Sequence, residues 1–497
     1  MTLKPLTRSI ALIALTWAEG LAEANPSLDL KDYITQVTQK NTGVQGSTLS
    51  GTASEMRSIE AKLLTAPTLY ASIETKGDGK IQPFSFLQYD RLETNVASLG
   101  VMQNFSFGLQ AKLHYDLMTL RYINPQTGAL GPLGASLGTI FTNQFINFSP
   151  VLELTQSLWG NGFGRTTRAS KELIEAQALA SSHLSRFEAQ NTLVQAELTY
   201  WRLAAARQII EVQNQAIDRA QKIYEWNQNR VNLHLGDEAD ALQAQALLQA
   251  RALDVLTASN EERSAARAFN SARNQDSDEV KETLHRLALD DLNSVETPKK
   301  TKIKEDVQAA KEAAKATQAD SIVHLEKNKP NLEVYGSLAL NGQPQNMYAP
   351  PYGGTVNAGQ SLGLSVLPNR PTYVVGVRFS MPLEFDTVSQ SQEAWRQQKT
   401  AAELTYERKL FEQEENWKGL TQSLDDSKKH LELSQQLEVT QKNKLEKEKE
   451  RLTRGRTTTY QVLLFEQDYL FSQLGRIKDQ VTLLNILAQM KLFGESR

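Results

Sequence analysis

Two stretches of this chain change from the period of a β-strand to that of an exceptionally long α-helix. In residues 151–159, Leu152, Leu154 and Leu158 alternate with polar side chains, as in a strand with one apolar face. Residues 167–233 then keep a helical period without one proline or glycine, which predicts a helix about 100 Å long. Because such a helix is far too long for a globule, it is expected to pack lengthwise beside other long helices, which can line a tube.

The order of elements occurs twice, as a helix, one or more strands, a long helix, a turn containing glycine and a further helix. We place the first repeat at residues 25–269, a charged connector at 270–304 and the second repeat at 305–497. The helices are predicted at 28–64, 167–233, from 238 onward, 305–328, 388–453 and 460–492, and the strands at 69–75, 105–117, 151–159, 331–340 and 374–385. The halves share little sequence, so the repeat is one of order and length.

The N-terminus predicts export from the cytoplasm. Lys4 and Arg8 precede a short apolar core, and the small residues Ala22 and Ala24 suit cleavage by signal peptidase after residue 24. The core has about eight apolar residues, whereas a membrane-spanning helix needs about twenty. No later segment is apolar for about eighteen residues in a row, so a membrane role would rely on β-strands.

Composition and motifs argue against an enzyme. The net charge of -3 disfavours nucleic acid as the main partner, and the absence of cysteine excludes disulfides and thiolate metal sites. The six histidines are scattered, with no pair at ligand spacing, and no catalytic constellation or phosphate-binding loop is present. We therefore expect no catalytic residues, no cofactor and no metal.

Several segments together resemble the TolC-type outer-membrane efflux and secretion channels. LDLKDYITQVTQKN is similar to the opening helix of that family, and LELTQSLWGNGFGR to its strand-to-helix hallmark, a Gln followed by an apolar pair and glycines. LGDEADALQAQALLQA is similar to the turn and the helix after it, and VGVRFSMPLEF and RLTRGRTTTYQVLLFEQDYL to the second copies. No single motif is specific, but their order and spacing are, and they extend over nearly all of the mature chain.

The resemblance implies a mainly α-helical fold with membrane β-strands. Three copies, with four strands each, would form a twelve-stranded β-barrel that continues as a long α-helical coiled-coil tunnel through the periplasm. It also implies contact with outer-membrane lipid, and docking of a periplasmic adaptor (membrane fusion) protein and an inner-membrane transporter. Residues 67–164 are more than two strands need, so 105–117 belongs to an extra hairpin with 95–103, to a strand extended above the membrane, or to a larger barrel.

The resemblance also singles out two groups of residues. The first marks the strand-to-helix junctions: Gln156, Gly160, Gly162 and Pro382. The second marks the turns between long helices: Gly236 and Gly455, with the gate candidates Asp237, Glu238, Asp240, Arg454 and Arg456. In the family, acids after such turns form a ring that narrows the pore, but acids in the first turn of a helix also serve as plain caps.

The second turn departs from the family, because Tyr460, Gln461 and Leu464 stand where its pattern often has acids, and the turn itself is basic, with Arg451, Arg454 and Arg456. We consider two interpretations, an ion pair with the acids of the first turn across neighbouring hairpins, and solvated arginines near a helix end. For the chain as a whole, we expect a passive outer-membrane exit duct of a tripartite efflux pump or type I secretion system. The alternatives are a periplasmic coiled-coil adaptor or scaffold without a pore and, more weakly, an adhesin stalk.

Overall fold

The computed structural model describes residues 27–81, 89–125, 145–284, 296, 298–342, 358–367 and 371–494, so the predicted leader at 1–24 lies outside it. Most of the described chain is helical. The helices are α1 Leu30–Lys40, α2 Thr42–Arg57, α3 Arg165–Asn232, α4 Glu238–Ala272, α5 Glu305–Lys327, α6 Ala358–Ser365, α7 Phe385–Thr453 and α8 Thr459–Met490. The two longest, α3 and α7, have 68 and 69 residues, and they begin and end within a few residues of the predicted bounds.

The first predicted helix, 28–64, is interrupted. Asn41 ends α1 with an extended backbone, and its side-chain oxygen accepts a hydrogen bond of 3.0 Å from the Val44 amide, which starts α2. A 3-10 helix at Ser58–Thr65 follows, and the helical segment ends before Pro67, close to the predicted bound at residue 64. A short helix, α6, lies between the strands predicted at 331–340 and 374–385.

The strands form one two-stranded and one six-stranded sheet among the described residues. The strands are β1 Ser27–Leu28, β2 Thr68–Asp78, β3 Arg91–Asn104, β4 Leu109–Ile123, β5 Phe145–Trp159, β6 Thr283–Leu284, β7 Asn331–Leu340 and β8 Pro371–Ser380. In the small sheet β1 pairs with β6 in parallel. The large sheet has the order β2-β3-β4-β5-β7-β8, and every neighbouring pair is antiparallel.

The prediction of one continuous strand at 105–117 is wrong. The chain reverses at residues 105–108, where the Phe105 amide donates to the Leu109 carbonyl at 2.7 Å and Gly108 has a φ of +83°. The alternation of apolar and polar side chains along the sequence continues through this reversal. The reason is that odd-numbered residues of β3 pair with odd-numbered residues of β4, for example Leu99 with Tyr115. The extra-hairpin interpretation of this segment is therefore confirmed, and one chain supplies six strands to the sheet where the resemblance implied four.

In the part next to the long helices, one face of the large sheet is apolar across all six strands. Register places the side chains of Leu69, Leu99, Leu113, Leu152, Leu338 and Val375 on this face. These apolar side chains are exposed, by 72% at Leu69, 61% at Leu113 and 78% at Val375. The opposite face carries Glu74, Asp116, Glu153 and Arg378, so the sheet separates an apolar side from a polar side.

The chain divides into two compact units. The first comprises Met1–Gly46, Ala189–Lys302 and Trp417–Arg497, and its core includes Tyr33 stacked on Phe269 with ring centroids 4.1 Å apart. The second comprises Ser47–Glu188 and Ile303–Asn416 and contains the large sheet.

No helix in the described part of the chain combines the length and apolar character needed to cross a membrane.

Candidate functional site

Charged side chains cluster at the centre of the polar face of the large sheet. Lys112 Nζ on β4 lies 3.4 Å from Glu153 Oε2 on β5, which is its direct cross-strand partner. The ring of His114 lies between two carboxylates, with Nδ1 2.7 Å from Asp116 Oδ1 and Nε2 3.6 Å from Glu153 Oε1. Among the described residues, no group of three or more such side chains could hold a metal ion. The polar face therefore carries a cluster of charged side chains at its centre.

The first strand-to-helix junction is built on backbone contacts with the β3–β4 turn. Gly164 has a φ of +77°, and a Cβ on Gly108 would lie only 2.6 Å from the Gly164 nitrogen. Gln156, a predicted junction residue, donates from Nε2 to the Phe107 carbonyl at 3.1 Å. The Gln156 side chain therefore ties the turn to the strand that precedes the long helix.

The glycines of this junction differ in what they do. Gly160 has a φ of +83°, and a Cβ there would lie 3.2 Å from the Pro330 carbonyl oxygen, just before β7. Gly162 has open space around its Cβ position, so nothing at this site requires a glycine. Gly164, which was not singled out from the sequence, is the position with the least room. Pro382 lies between the end of β8 and the start of α7, where the resemblance placed the second junction.

The first helix turn, residues 233–237, joins α3 to α4. The predicted turn residue Gly236 lies in this segment, and the residue with left-handed backbone is His234, with a φ of +59°. The Leu235 amide donates to the Arg230 carbonyl at 2.8 Å, which closes the end of α3. Asp237 is the N-cap of α4 and accepts from the Ala239 amide at 3.0 Å, so this acid has a capping role. Glu238 and Asp240 follow in the first turn.

The second helix turn, residues 454–458, joins α7 to α8 and has the expected glycine. Gly455 has a φ of +66°, and the Arg456 amide donates to the Arg451 carbonyl at 2.9 Å, the same closure as in the first turn. Arg454 and Arg456 are exposed. In the described part of one chain, no ion pair joins either arginine to Asp237, Glu238 or Asp240.

The helices that these turns join hold a buried charge cluster that the sequence analysis missed. Glu466 on α8 has no exposed surface; its carboxylate pairs with Arg219 on α3 and lies 3.4 Å from Lys449 Nζ on α7. The Arg219 guanidinium also lies 5.2 Å from the ring centre of Tyr469. Burial raises the pKa of the Tyr469 hydroxyl, and nearby Glu438 adds to the shift. The signal in the sequence was an acid that directly follows three apolar residues, in LLFEQDYLF.

The fold, a six-stranded antiparallel sheet whose strands lead into helices of 68 and 69 residues, is similar to that of solved outer-membrane channels. The chain is similar to the outer-membrane channel OprN, with a TM-score of 0.64 and 15% identity over 94% of this chain and 90% of that one. It is also similar to the Campylobacter jejuni channel CmeC, with a TM-score of 0.59 and 14% identity over 97% and 90% of the two chains. For the open state of the Neisseria gonorrhoeae channel MtrE, the TM-score is 0.61, at 14% identity over 94% and 89%.

No protein-family model and no curated protein matches the chain in sequence. At such low identity the structural similarities establish the fold alone. They confirm, at that level, the resemblance to TolC-type channels that the segments of the sequence indicated.

Proposed function

We propose that this protein is a passive exit duct in the outer membrane of a bacterium. In this function it carries substrates across the periplasm and the outer membrane, for a tripartite efflux pump or a type I secretion system. The observation that supports this proposal most directly is the large sheet. Its apolar face is exposed across all six strands, while its other face is charged. A lipid-facing wall around a hydrated lumen requires that combination.

The proposed assembly is a homotrimer. An open sheet edge is costly in lipid, because its backbone amides and carbonyls have no water to bond to. Copies of the chain that join at their edges remove this cost, and the long helices would continue the duct into the periplasm. The partners that suit this function are a periplasmic adaptor (membrane fusion) protein and an inner-membrane transporter. The fold similarity to the three channels supports the assembly.

Two further parts of the proposal concern export and the helix turns. The leader at 1–24 would direct export and then be removed. The two helix turns would lie at the periplasmic end, with threefold symmetry bringing the acids of the first turn near Arg454 and Arg456 of a neighbouring hairpin. Asp237 serves as a helix cap in either case, so the gate would depend on Glu238 and Asp240 with the two arginines.

A periplasmic scaffold without a pore is the alternative function. A scaffold that stays in water has no use for a continuous exposed apolar face, because such a face favours aggregation. That exposed face therefore favours the duct.

Cell fractionation with a matched pair of substitutions tests the proposal. The wild type should be found in the outer membrane as a heat-modifiable trimer and should conduct ions in planar bilayers. Leu152→Arg puts a charge on the apolar face, at a cost of about 2–4 kcal/mol near the bilayer centre, and should sharply lower the amount of trimer. Thr155→Arg, on the polar face of the same strand, should leave it unchanged. A protein that is soluble after leader removal, with no conductance, would contradict the duct.

A further inference from the structure

The hairpin of β3 and β4 lies inside the large sheet. These strands are second and third in the order β2-β3-β4-β5-β7-β8. β3 pairs with β2 from Thr68↔Met102 to Asp78↔Leu92, and β4 pairs with β5 from Leu109↔Gln156 to Leu120↔Phe145. Because β2 reaches β5 only through this hairpin, the hairpin cannot leave the wall without breaking the sheet in two.

In its half next to the turn, the hairpin has the same two faces as the strands around it. Leu99 and Leu113 continue the apolar face and are 57% and 61% exposed. Ser98 pairs with Asp116 on the polar face, beside the cluster of Lys112, His114 and Glu153. A hairpin folded into the lumen as a plug would not need exposed leucines on the face shared with Leu152.

The turn of the hairpin ends level with the strand-to-helix junction. The Ser157 amide donates to the Gly108 carbonyl at 3.3 Å, and Arg168 Nη1 donates to the Ser106 carbonyl at 3.1 Å. Phe107 in the turn and Trp159 at the end of β5 are 47% and 49% exposed, as expected of aromatic side chains at one boundary of a membrane. The hairpin therefore spans the same layer as β5.

The two edge strands of the sheet, β2 and β8, have the directions and lengths needed to pair between neighbouring copies. β2 has 11 residues and leads away from the helical segment, whereas β8 has 10 and leads into α7. A copy of the chain placed at the edge would bring β8 beside β2 in antiparallel orientation, with both apolar faces on one side. Nearly every side chain of both strands is exposed in the single chain.

We infer that each copy contributes all six strands, so that the trimer has an eighteen-stranded wall instead of a twelve-stranded one. This inference depends on the proposed function, which supplies the three copies. At a strand spacing of about 4.8 Å and a tilt of about 40°, eighteen strands enclose a barrel about 36 Å across between backbones, against about 24 Å for twelve. Barrels of sixteen to eighteen strands leave a water-filled channel. The duct would therefore take wider hydrated solutes through its membrane section than the resemblance implied.

Thiol labelling tests the inference, because the chain has no cysteine of its own. Leu99→Cys and Leu113→Cys test the apolar face of the hairpin, and Ser98→Cys and Asp116→Cys its polar face. Leu152→Cys and Thr155→Cys on β5 are the matched controls. In intact outer membranes, we expect a charged, water-soluble thiol reagent to modify the polar-face positions at least about tenfold faster, on the hairpin as on β5. A lipid-soluble maleimide should show the reverse preference.

The labelling outcomes separate the inference from the proposed function. Fast aqueous labelling at all four hairpin positions, with alternation kept on β5, would overturn the eighteen-stranded wall and leave the duct intact. Loss of alternation on β5 as well would overturn both. A strand count by cryo-electron microscopy of the wild-type trimer needs no substitution. Eighteen strands in cross-section would support the inference, and twelve would overturn it.

Discussion

At the scale of single residues, Tyr33 is the clearest case of a titratable group held in a core. Its hydroxyl lies 3.0 Å from Thr199 Oγ1 and donates to the Phe269 carbonyl at 3.1 Å. Burial raises the pKa of this hydroxyl to about 12, although the Thr199 hydrogen bond and the charge of Arg273 oppose the shift. The folded state therefore favours the neutral form. The contribution of the neutral Tyr33 hydroxyl to the free energy of unfolding is fully present below pH about 10. This contribution is lost as the pH rises towards about 12.

Tyr33→Phe should reverse its effect with pH. At pH 8 the variant lacks the hydroxyl's hydrogen bonds and should be less stable than the wild type by about 1 kcal/mol. Near pH 12 the free energy of unfolding of the wild type should have fallen by roughly 2 kcal/mol, because its Tyr33 hydroxyl ionises on unfolding. The variant has no such hydroxyl, so it should become the more stable of the two. Urea unfolding followed by circular dichroism at several pH values measures this difference. Tyr460→Phe, at a side chain 57% exposed, is the control. A difference that stays constant from pH 8 to 12 would contradict the assignment.

Single residues were also where sequence reasoning was least reliable. It indicated the first helix turn at Gly236, which lies in that turn, but not that His234 holds the left-handed position there. It named Gly160 and Gly162 as junction residues but not Gly164. Spacing alone does not show which of these glycines lies against another backbone. Glu466 was overlooked for a related reason, since its partners Arg219 and Lys449 come from two other helices.

At the scale of elements, long helices and strand order could be predicted, but the β3–β4 reversal could not. The helical period continues over α3 and α7 for so many residues that no other element competes. In the hairpin, Phe105 and Phe107 of the four-residue turn continue the alternation into Leu109. One long strand and two strands joined by this turn therefore give the same sequence pattern. Gly108, with its φ of +83°, was a local sign of the turn.

The close contact between this turn and the junction predicts different costs for two neighbouring glycines. In Gly164→Ala, the new Cβ would overlap the Ser106 carbonyl oxygen in a left-handed backbone, which should cost more than about 2 kcal/mol. In Gly162→Ala, the Cβ enters open space, and the change should stay within about 0.5 kcal/mol. The yield of heat-modifiable trimer and its midpoint of thermal dissociation compare the two. Equal behaviour of both variants would show that the turn does not dock on the junction.

At the scale of the whole molecule, the two repeats place a helix turn of opposite charge in each half of the chain. Asp237, Glu238 and Asp240 begin α4, while Arg454 and Arg456 precede α8. The sequence was sufficient for this order of elements and for the resemblance in fold. It could not show which charges meet, because under the proposed function that contact is made between copies.

The interpretation of these charges as a closed entrance leads to a test by reversal and rescue. Arg454→Glu with Arg456→Glu should replace attraction between neighbouring hairpins by repulsion and raise single-channel conductance several-fold in planar bilayers. Adding Glu238→Arg and Asp240→Arg should restore the low conductance, and Asp237 is kept because it caps α4. The control reverses two exposed charges on α7, Lys429→Glu and Lys447→Glu, at side chains 74% and 77% exposed.

The rescue experiment distinguishes specific ion pairs between the two helix turns from a general change in the electrostatic field at the entrance. If the arginines act only through the summed charge at the entrance, reversal should shift ion selectivity, and the added arginines should return selectivity without lowering conductance. If the arginines are simply solvated, all variants should conduct as the wild type does, and the gate would have to be abandoned. Because threefold symmetry multiplies each substitution, two reversed residues per chain change the entrance by about twelve elementary charges, an effect that should persist at moderate salt.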